Sequence, residues 1–184
     1  MTVLIEKPHS TFIHIPKTAG VSVSNWLVKH ISNARQLGHK SIYMGKHADM
    51  NFLQKTYGDL GTTFVIVRNP WDRMVSGYHY IKRTTDMKLD FAGFIKKQWV
   101  KGYGCVKKEQ YKFINDNIDH ILQFENLDKD FKIIQDFYNV YEPLGEPQNT
   151  SEHAHYTDYY NQELIDIVAY EYKKDIELFK YDYK

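Results

Sequence analysis

Two stretches of this chain carry residues in an order that could hold an anion. The first is Lys17-Thr18-Ala19-Gly20-Val21-Ser22, which follows the β-rich run Thr11-Phe12-Ile13-His14-Ile15 and Pro16. From Val21 onward the apolar positions Val23, Trp26, Leu27 and Ile31 recur at helical spacing, so the stretch reads as strand, tight loop and helix. A loop that enters a helix aims backbone N–H groups and the positive end of the helix dipole at one spot, a setting for phosphate or sulfate, and Lys17 adds a mobile full charge. An ordinary strand-to-helix turn with a solvent lysine has the same composition. The stretch is not a Walker A loop, because the glycines required ahead of the lysine are replaced by a strand.

The second stretch is Arg68-Asn69-Pro70-Trp71-Asp72-Arg73-Met74-Val75-Ser76-Gly77-Tyr78. It follows Thr63-Phe64-Val65-Ile66-Val67, a continuous β-branched run expected for a strand buried on both faces. Asn69 suits an N-cap, Pro70 suits the first helical position, and Asp72 falls where a carboxylate favours the dipole, so a helix is expected through about Lys82. Arg68 then stands at a strand end and Ser76 about two turns into the helix. A guanidinium can grip a phosphate bidentately and a serine hydroxyl can add a further hydrogen bond. A surface ion pair is the alternative for Arg68, and for Arg73 a ligand contact and a loop-fixing ion pair are equally open. No Walker B aspartate follows the Val65-Ile66-Val67 strand, where Arg68 stands instead.

Among side chains histidine titrates nearest neutrality, which makes it the natural proton acceptor there. Of nine histidines, His47 lies between the two stretches and just before an expected helix at Ala48–Tyr57. His14 sits in the first strand, where it packs or orients the loop, and His39 is the next candidate. His153-Ala154-His155 has only a superficial metal spacing, with no cysteine or acidic partner at motif distance, so no metal is expected.

The elements that must position these groups alternate. Beyond the two strand-loop-helix stretches, Ser41-Ile42-Tyr43-Met44 reads as a short strand, Asp90–Lys101 and Lys107–Asn115 as helices and His120–Phe124 as a strand. A helix is expected from about Asp128 to Tyr138, and a long terminal one over Asn161–Phe179. Strands alternating with helices predict an α/β fold with a mainly parallel sheet and ligands at the carboxyl ends of its strands. At 184 residues the chain fits one domain, 1–184. Twenty-four Lys+Arg against 23 Asp+Glu exclude a global pull toward nucleic acid or an anionic membrane, so any anion site is local. The single cysteine, Cys105, cannot form an internal disulfide. With no apolar run long enough to span a bilayer and no leader-like start, a cytoplasmic protein is expected.

The two stretches together resemble the 5′-phosphosulfate and 3′-phosphate motifs of sulfotransferases that use 3′-phosphoadenosine 5′-phosphosulfate (PAPS). They are nearest the carbohydrate branch, with its P-K-T-A-type loop and R-x-P-x-x-R-x-x-S segment. Gly45-Lys46-His47-Ala48, Phe124-Glu125-Asn126-Leu127, and the tail from Asn149-Thr150-Ser151 through Tyr156, Tyr159 and Tyr160 to Asp175-Ile176-Glu177-Leu178-Phe179 resemble further segments of it. The resemblance implies a P-loop-like three-layer sandwich. It also implies that Lys17, Thr18, Ala19, Gly20, Val21 and Ser22 hold the 5′ phosphosulfate, that Arg68 and Ser76 hold the 3′-phosphate, and that Lys17 and His47 are catalytic. PAPS would be a cosubstrate leaving as 3′-phosphoadenosine 5′-phosphate (PAP), with a glycan or small molecule as acceptor and no metal. Asn149, Ser151 and Tyr156 either close over the nucleotide or merely lead into a helix. A non-catalytic nucleotide-binding module and a P-loop kinase acting on a small molecule are the competing readings.

Overall fold

The computed structural model describes residues 1–37, 47–97, 104–145 and 154–184. The strand expected at Ser41–Met44, His39, Gly45, Lys46, Asn149, Thr150, Ser151 and His153 lie outside the described residues, and the helix expected over Asp90–Lys101 is described only as far as Lys97. In chain order the elements begin with strands β1 (Val3–Glu6) and β2 (His9–Ile13), helix α1 (Gly20–His30), strand β3 (Ala34–Gln36), helix α2 (Met50–Tyr57) and strand β4 (Thr62–Val67). They continue with helices α3 (Pro70–Thr84), α4 (Phe91–Lys96) and α5 (Gly104–Lys107), strand β5 (His120–Gln123), and helices α6 (Leu127–Tyr138), α7 (Gln162–Glu171) and α8 (Lys173–Phe179). Short 3₁₀ turns occupy Gln110–Phe113, Phe124–Asn126 and Tyr156–Tyr159.

These elements fall into two compact units, one of Met1–Val67 with Lys112–Gln148 and one of Arg68–Tyr111 with Asn149–Lys184. The first holds a five-stranded sheet in the order β3-β1-β2-β4-β5. β4 runs parallel to β2 and to β5, but β1 is antiparallel to both β2 and β3. The sheet is therefore mixed and not mainly parallel. The cause is local: Val3–Glu6 folds back on His9–Ile13 through the two-residue link Lys7-Pro8, with Glu6 facing His9, and a two-residue link can join only antiparallel neighbours.

Alternation along the strands sends Val3, Ile5, Phe12, Phe64, Ile66 and Leu122 to one face, where they pack with Val23, Trp26 and Leu27 of α1 and Phe131 and Ile134 of α6. Phe12 and Phe64 are each 1% exposed, and burying a side chain of this size stabilises a fold by about 1.5–3 kcal/mol. The indole of Trp26 donates to the Glu142 carbonyl at 3.0 Å, fixing α1 against the segment after α6. At the amino end of β4, Asp119 accepts from both the amide and the hydroxyl of Thr63, at 2.8 and 2.7 Å. These bonds hold the Asp119 carboxyl below the usual carboxylate range.

The second unit is helical. Trp71, Met74, Val75, Tyr78 and Ile81 of α3 share a core with Phe91, Phe94, Val106, Leu164, Val168 and Tyr172. Gly77 lets α3 approach α5 closely, because a Cβ there would lie 2.5 Å from a methyl of Val106. The terminal helix is interrupted once: Tyr172 leaves helical geometry (φ −109°, ψ 24°) and ends α7, and α8 starts at the next residue. Its ring is buried, with the hydroxyl donated to the Lys107 carbonyl at 3.0 Å, and burial pushes the phenol far above its ordinary value. No helix among the described residues is long and apolar enough to cross a membrane.

Candidate functional site

The chain leaves the carboxyl end of β2 at Ile13, and the seven residues up to Gly20 carry most of the chemistry. Lys17 and Ala19 both adopt left-handed backbone, with φ of 71° and 62°. Non-glycine residues seldom do so, and a left-handed residue next to a right-handed one turns successive N–H groups toward one side, as anion sites use. The Thr18 hydroxyl closes the loop by donating to the Ile15 carbonyl at 2.9 Å. Ala19, at the N-cap of α1, has no side chain able to cap, and the first turn contains no acid. The positive end of this helix dipole is thus not offset locally.

His14 and His47 complete this face of the first unit. His14 is 3% exposed, and its ring lies close against Gly20, where a Cβ would come within 2.0 Å of Cδ2. Only glycine permits that approach. His47, half-buried, meets the His14 ring edge-on, with ring centroids 4.7 Å apart and planes at 62°. Its Nδ1 lies 3.3 Å from the His14 carbonyl oxygen. A carbonyl oxygen can only accept, so this bond places the hydrogen on Nδ1 and leaves Nε2 of the neutral ring with its lone pair. The structure therefore brings together Lys17, Thr18, Ala19, Gly20, Val21, Ser22 and, through His14, His47. Glu125 is exposed on the 3₁₀ turn after β5.

Arg68 and Ser76 belong to the second unit. The start of α3 satisfies itself. Asn69 caps it by accepting from the amides of Trp71 and Asp72 at 3.0 and 3.4 Å, and Pro70 opens the helix. Asp72 takes Arg68 Nε at 2.8 Å, with the two side chains 11% and 17% exposed. The ion pair considered from sequence is therefore present at Arg68, on one edge of a guanidinium that has five N–H donors. Ser76 is 8% exposed on the same helix.

Arg73, open in the sequence between a ligand contact and a structural ion pair, is fully buried and donates to the Lys108 carbonyl at 3.0 Å. Nearby, Asp175 accepts from the amides of Gln110 and Tyr111, both at 2.8 Å. Burial pushes the Asp175 carboxyl up, while these amides and Arg73 pull it back. Gln110 in turn brackets the Arg68 backbone, accepting its N–H at 2.9 Å and donating to its carbonyl at 2.8 Å. Sequence reasoning missed Gln110 altogether, and no local signal marks it. Asp175 could have been noticed as an acid on the apolar stripe of the last helix, three residues after Tyr172.

The late tyrosines also resolve into roles. Tyr160 donates to the Trp71 carbonyl at 2.9 Å, Tyr156 hydrogen-bonds the Lys184 carbonyl, and the Tyr159 hydroxyl lies 2.9 Å from Nε2 of His79. Tyr159 and Tyr160 thereby fasten the 154–160 segment to α3. A cavity of about 260 Å³ in this unit is lined by Met74, Ile95, Lys107, Val168 and Tyr172 among others, and neither Arg68 nor Ser76 lines it.

Comparison with known proteins agrees with the motifs. The chain belongs to the sulfotransferase family: the sequence model of that family matches residues 2–126, which include both motif stretches and His47. An uncharacterised protein of Archaeoglobus fulgidus is 32% identical over 98 residues, covering 50% of this chain and 80% of that protein. A crystal structure of a sulfotransferase from Alicyclobacillus acidocaldarius aligns with 72% of this chain at 19% identity and a TM-score of 0.39, and this chain spans 60% of its length.

Proposed function

We propose that the protein transfers the sulfuryl group of PAPS to a hydroxyl, with an amine as the lesser alternative, on a glycan or small-molecule acceptor, as in the carbohydrate branch of the family. The observation that carries this reading is the start of α1. Two left-handed residues, a helix end without an acid and a lysine meet there, and His47 is held alongside with its Nδ1 against the His14 carbonyl.

In this proposal the amides of the 17–22 loop and the Lys17 ammonium take the 5′ phosphosulfate, a dianionic end that suits an all-donor set. Because its hydroxyl hydrogen goes to Ile15, Thr18 contributes through its backbone. The acceptor oxygen attacks sulfur in line, the bond from sulfur to the bridging oxygen breaks, and the electron pair leaves with the phosphate of PAP. Lys17 stabilises the charge that grows on the bridging oxygen, and His47 Nε2 takes the acceptor's proton. Arg68 and Ser76 hold the 3′-phosphate. The P-loop-like reading of the core rests on the parallel set β2, β4 and β5, with the loop leaving the carboxyl end of β2.

Calorimetry tests the nucleotide assignment. PAP is expected to bind much more tightly than AMP, and Arg68→Ala should lose that preference by roughly tenfold or more, since charge-assisted hydrogen bonds contribute about 1.5–3 kcal/mol. Equal affinities of the wild type for PAP and AMP would remove the 3′-phosphate role from the second motif.

A further inference from the structure

We infer that His14 is a positioning residue that couples the anion loop to His47, an inference that rests on reading His47 as the base. Three contacts carry it. The ring of His14 is pressed on the α-carbon of Gly20, the first residue of α1, so that Cδ2, Nε2 and Cγ would lie 2.0, 2.5 and 2.8 Å from a Cβ there. The same ring receives His47 edge-on at 4.7 Å, and the backbone carbonyl of the same residue receives His47 Nδ1 at 3.3 Å. One buried residue thus touches the loop on one side and sets both the plane and the tautomer of the proposed base on the other.

A close-packed interior transmits displacement, because a ring with no room to yield moves its neighbour. A shift of the first turn of α1 therefore reaches His47 through the His14 ring. Reorienting an imidazole by even a fraction of an ångström alters its line to a reacting hydroxyl, and misplacement of about 1 Å can cost roughly 10²-fold in rate. The role is one of shape and not of proton transfer. Phe supplies a planar edge of similar size and leaves the backbone carbonyl in place, so it should substitute where Ala does not.

The test is ring ¹⁵N NMR of His47 in protein labelled at histidine, recorded for wild type, His14→Phe, His14→Ala, Gly20→Ala and the double variant Gly20→Ala/His14→Ala. In the wild type the neutral His47 ring should show hydrogen on Nδ1 and a lone pair on Nε2. Gly20→Ala should displace the His47 ring signals when His14 is present and much less when residue 14 is alanine. His14→Phe should keep the wild-type tautomer. In single-turnover transfer with a working acceptor, His14→Ala should lose about 10- to 100-fold, and His14→Phe only a few-fold, while PAP affinity changes little in either.

Coupling is refuted if Gly20→Ala leaves the His47 signals in place or moves them equally without the His14 ring, or if wild-type His47 carries its hydrogen on Nε2. These readouts do not depend on turnover. A wild type that shows the coupling but binds no PAP would sink the donor assignment and leave the mechanical link standing. Should Gly20→Ala fail to fold, the contrast between His14→Phe and His14→Ala decides: identical His47 signals in the two would overturn the role of the ring.

Discussion

The starts of α1 and α3 are built from the same plan and finished in opposite ways. Each follows a parallel strand and carries a motif cation, Lys17 or Arg68. At α1 the N-cap residue is an alanine in left-handed backbone and no acid follows, so the helix end keeps its positive field. At α3 an asparagine caps the amides, proline opens the helix, and Asp72 stands in the first turn holding Arg68. The difference teaches that two strand-to-helix turns of one chain can leave opposite local charge. The α1 start has no side-chain cap and no acid, whereas at α3 the local demand for negative charge is already met.

The contrast can be sharpened first at the proposed chemistry. His47→Ala should lose about 10²- to 10⁴-fold in single-turnover transfer while PAP affinity barely changes, as removal of a general base does. Near-normal transfer by this variant would move the role to another group. At α3 motif residues also serve the fold, and Arg73→Ala should cost about 2–5 kcal/mol in denaturant unfolding, because it empties a fully buried position and takes the donor from the Lys108 carbonyl. A variant as stable as the wild type would show that Arg73 is dispensable to the helical unit.

Transplanting the α3 finish onto α1 tests the field directly. Val21→Asp puts an acid in the first turn, where it should leave the helix intact or slightly firmer. It should also weaken PAP by roughly fivefold or more, since a like charge some 4 Å away costs about 1–4 kcal/mol. Unchanged affinity would mean that the loop is not where the anion sits. The smallest effect is expected at the opposite finish: Asn69→Ala removes the cap of α3 and should lower stability by about 0.5–2 kcal/mol, read from the midpoint of thermal or urea unfolding.

What the sequence could disclose follows the range of the interactions. The loop at Lys17, the burial of Thr63–Val67, and the Asn69, Pro70 and Asp72 start of α3 are local, and each was legible from residue type and spacing. β1 and β3 were not, being only four and three residues long, and the antiparallel hairpin through Lys7-Pro8 is what turned an expected parallel sheet into a mixed one. The break at Tyr172 was hidden because Leu164, Val168, Tyr172 and Ile176 stay in helical phase across it. The helix expected over Lys107–Asn115 is only a 3₁₀ turn at Gln110–Phe113, with a one-turn helix ending at Lys107 before it, and Asp175 binds the Gln110 and Tyr111 amides from outside. The press of His14 on Gly20 and the grip of Gln110 on Arg68 are contacts in space that no period or motif announces.

That last grip bears on how the protein is made. The backbone of Arg68 is bracketed by the side chain of Gln110, and the backbone of Gln110 is held by Asp175, so the seat of the motif arginine closes over sequence separations of 42 and then 65 residues. A ribosome delivers the chain from its amino end, and contacts so distant in sequence form late because the intervening loop must first be closed. The loop at Lys17 lies within eight residues of His14, and every residue of it has emerged once its own helix has. A nascent chain lacking its final dozen residues still has every residue of the 17–22 loop but has no carboxylate for the Gln110 and Tyr111 amides. The order of synthesis thus separates the two motif stretches in time.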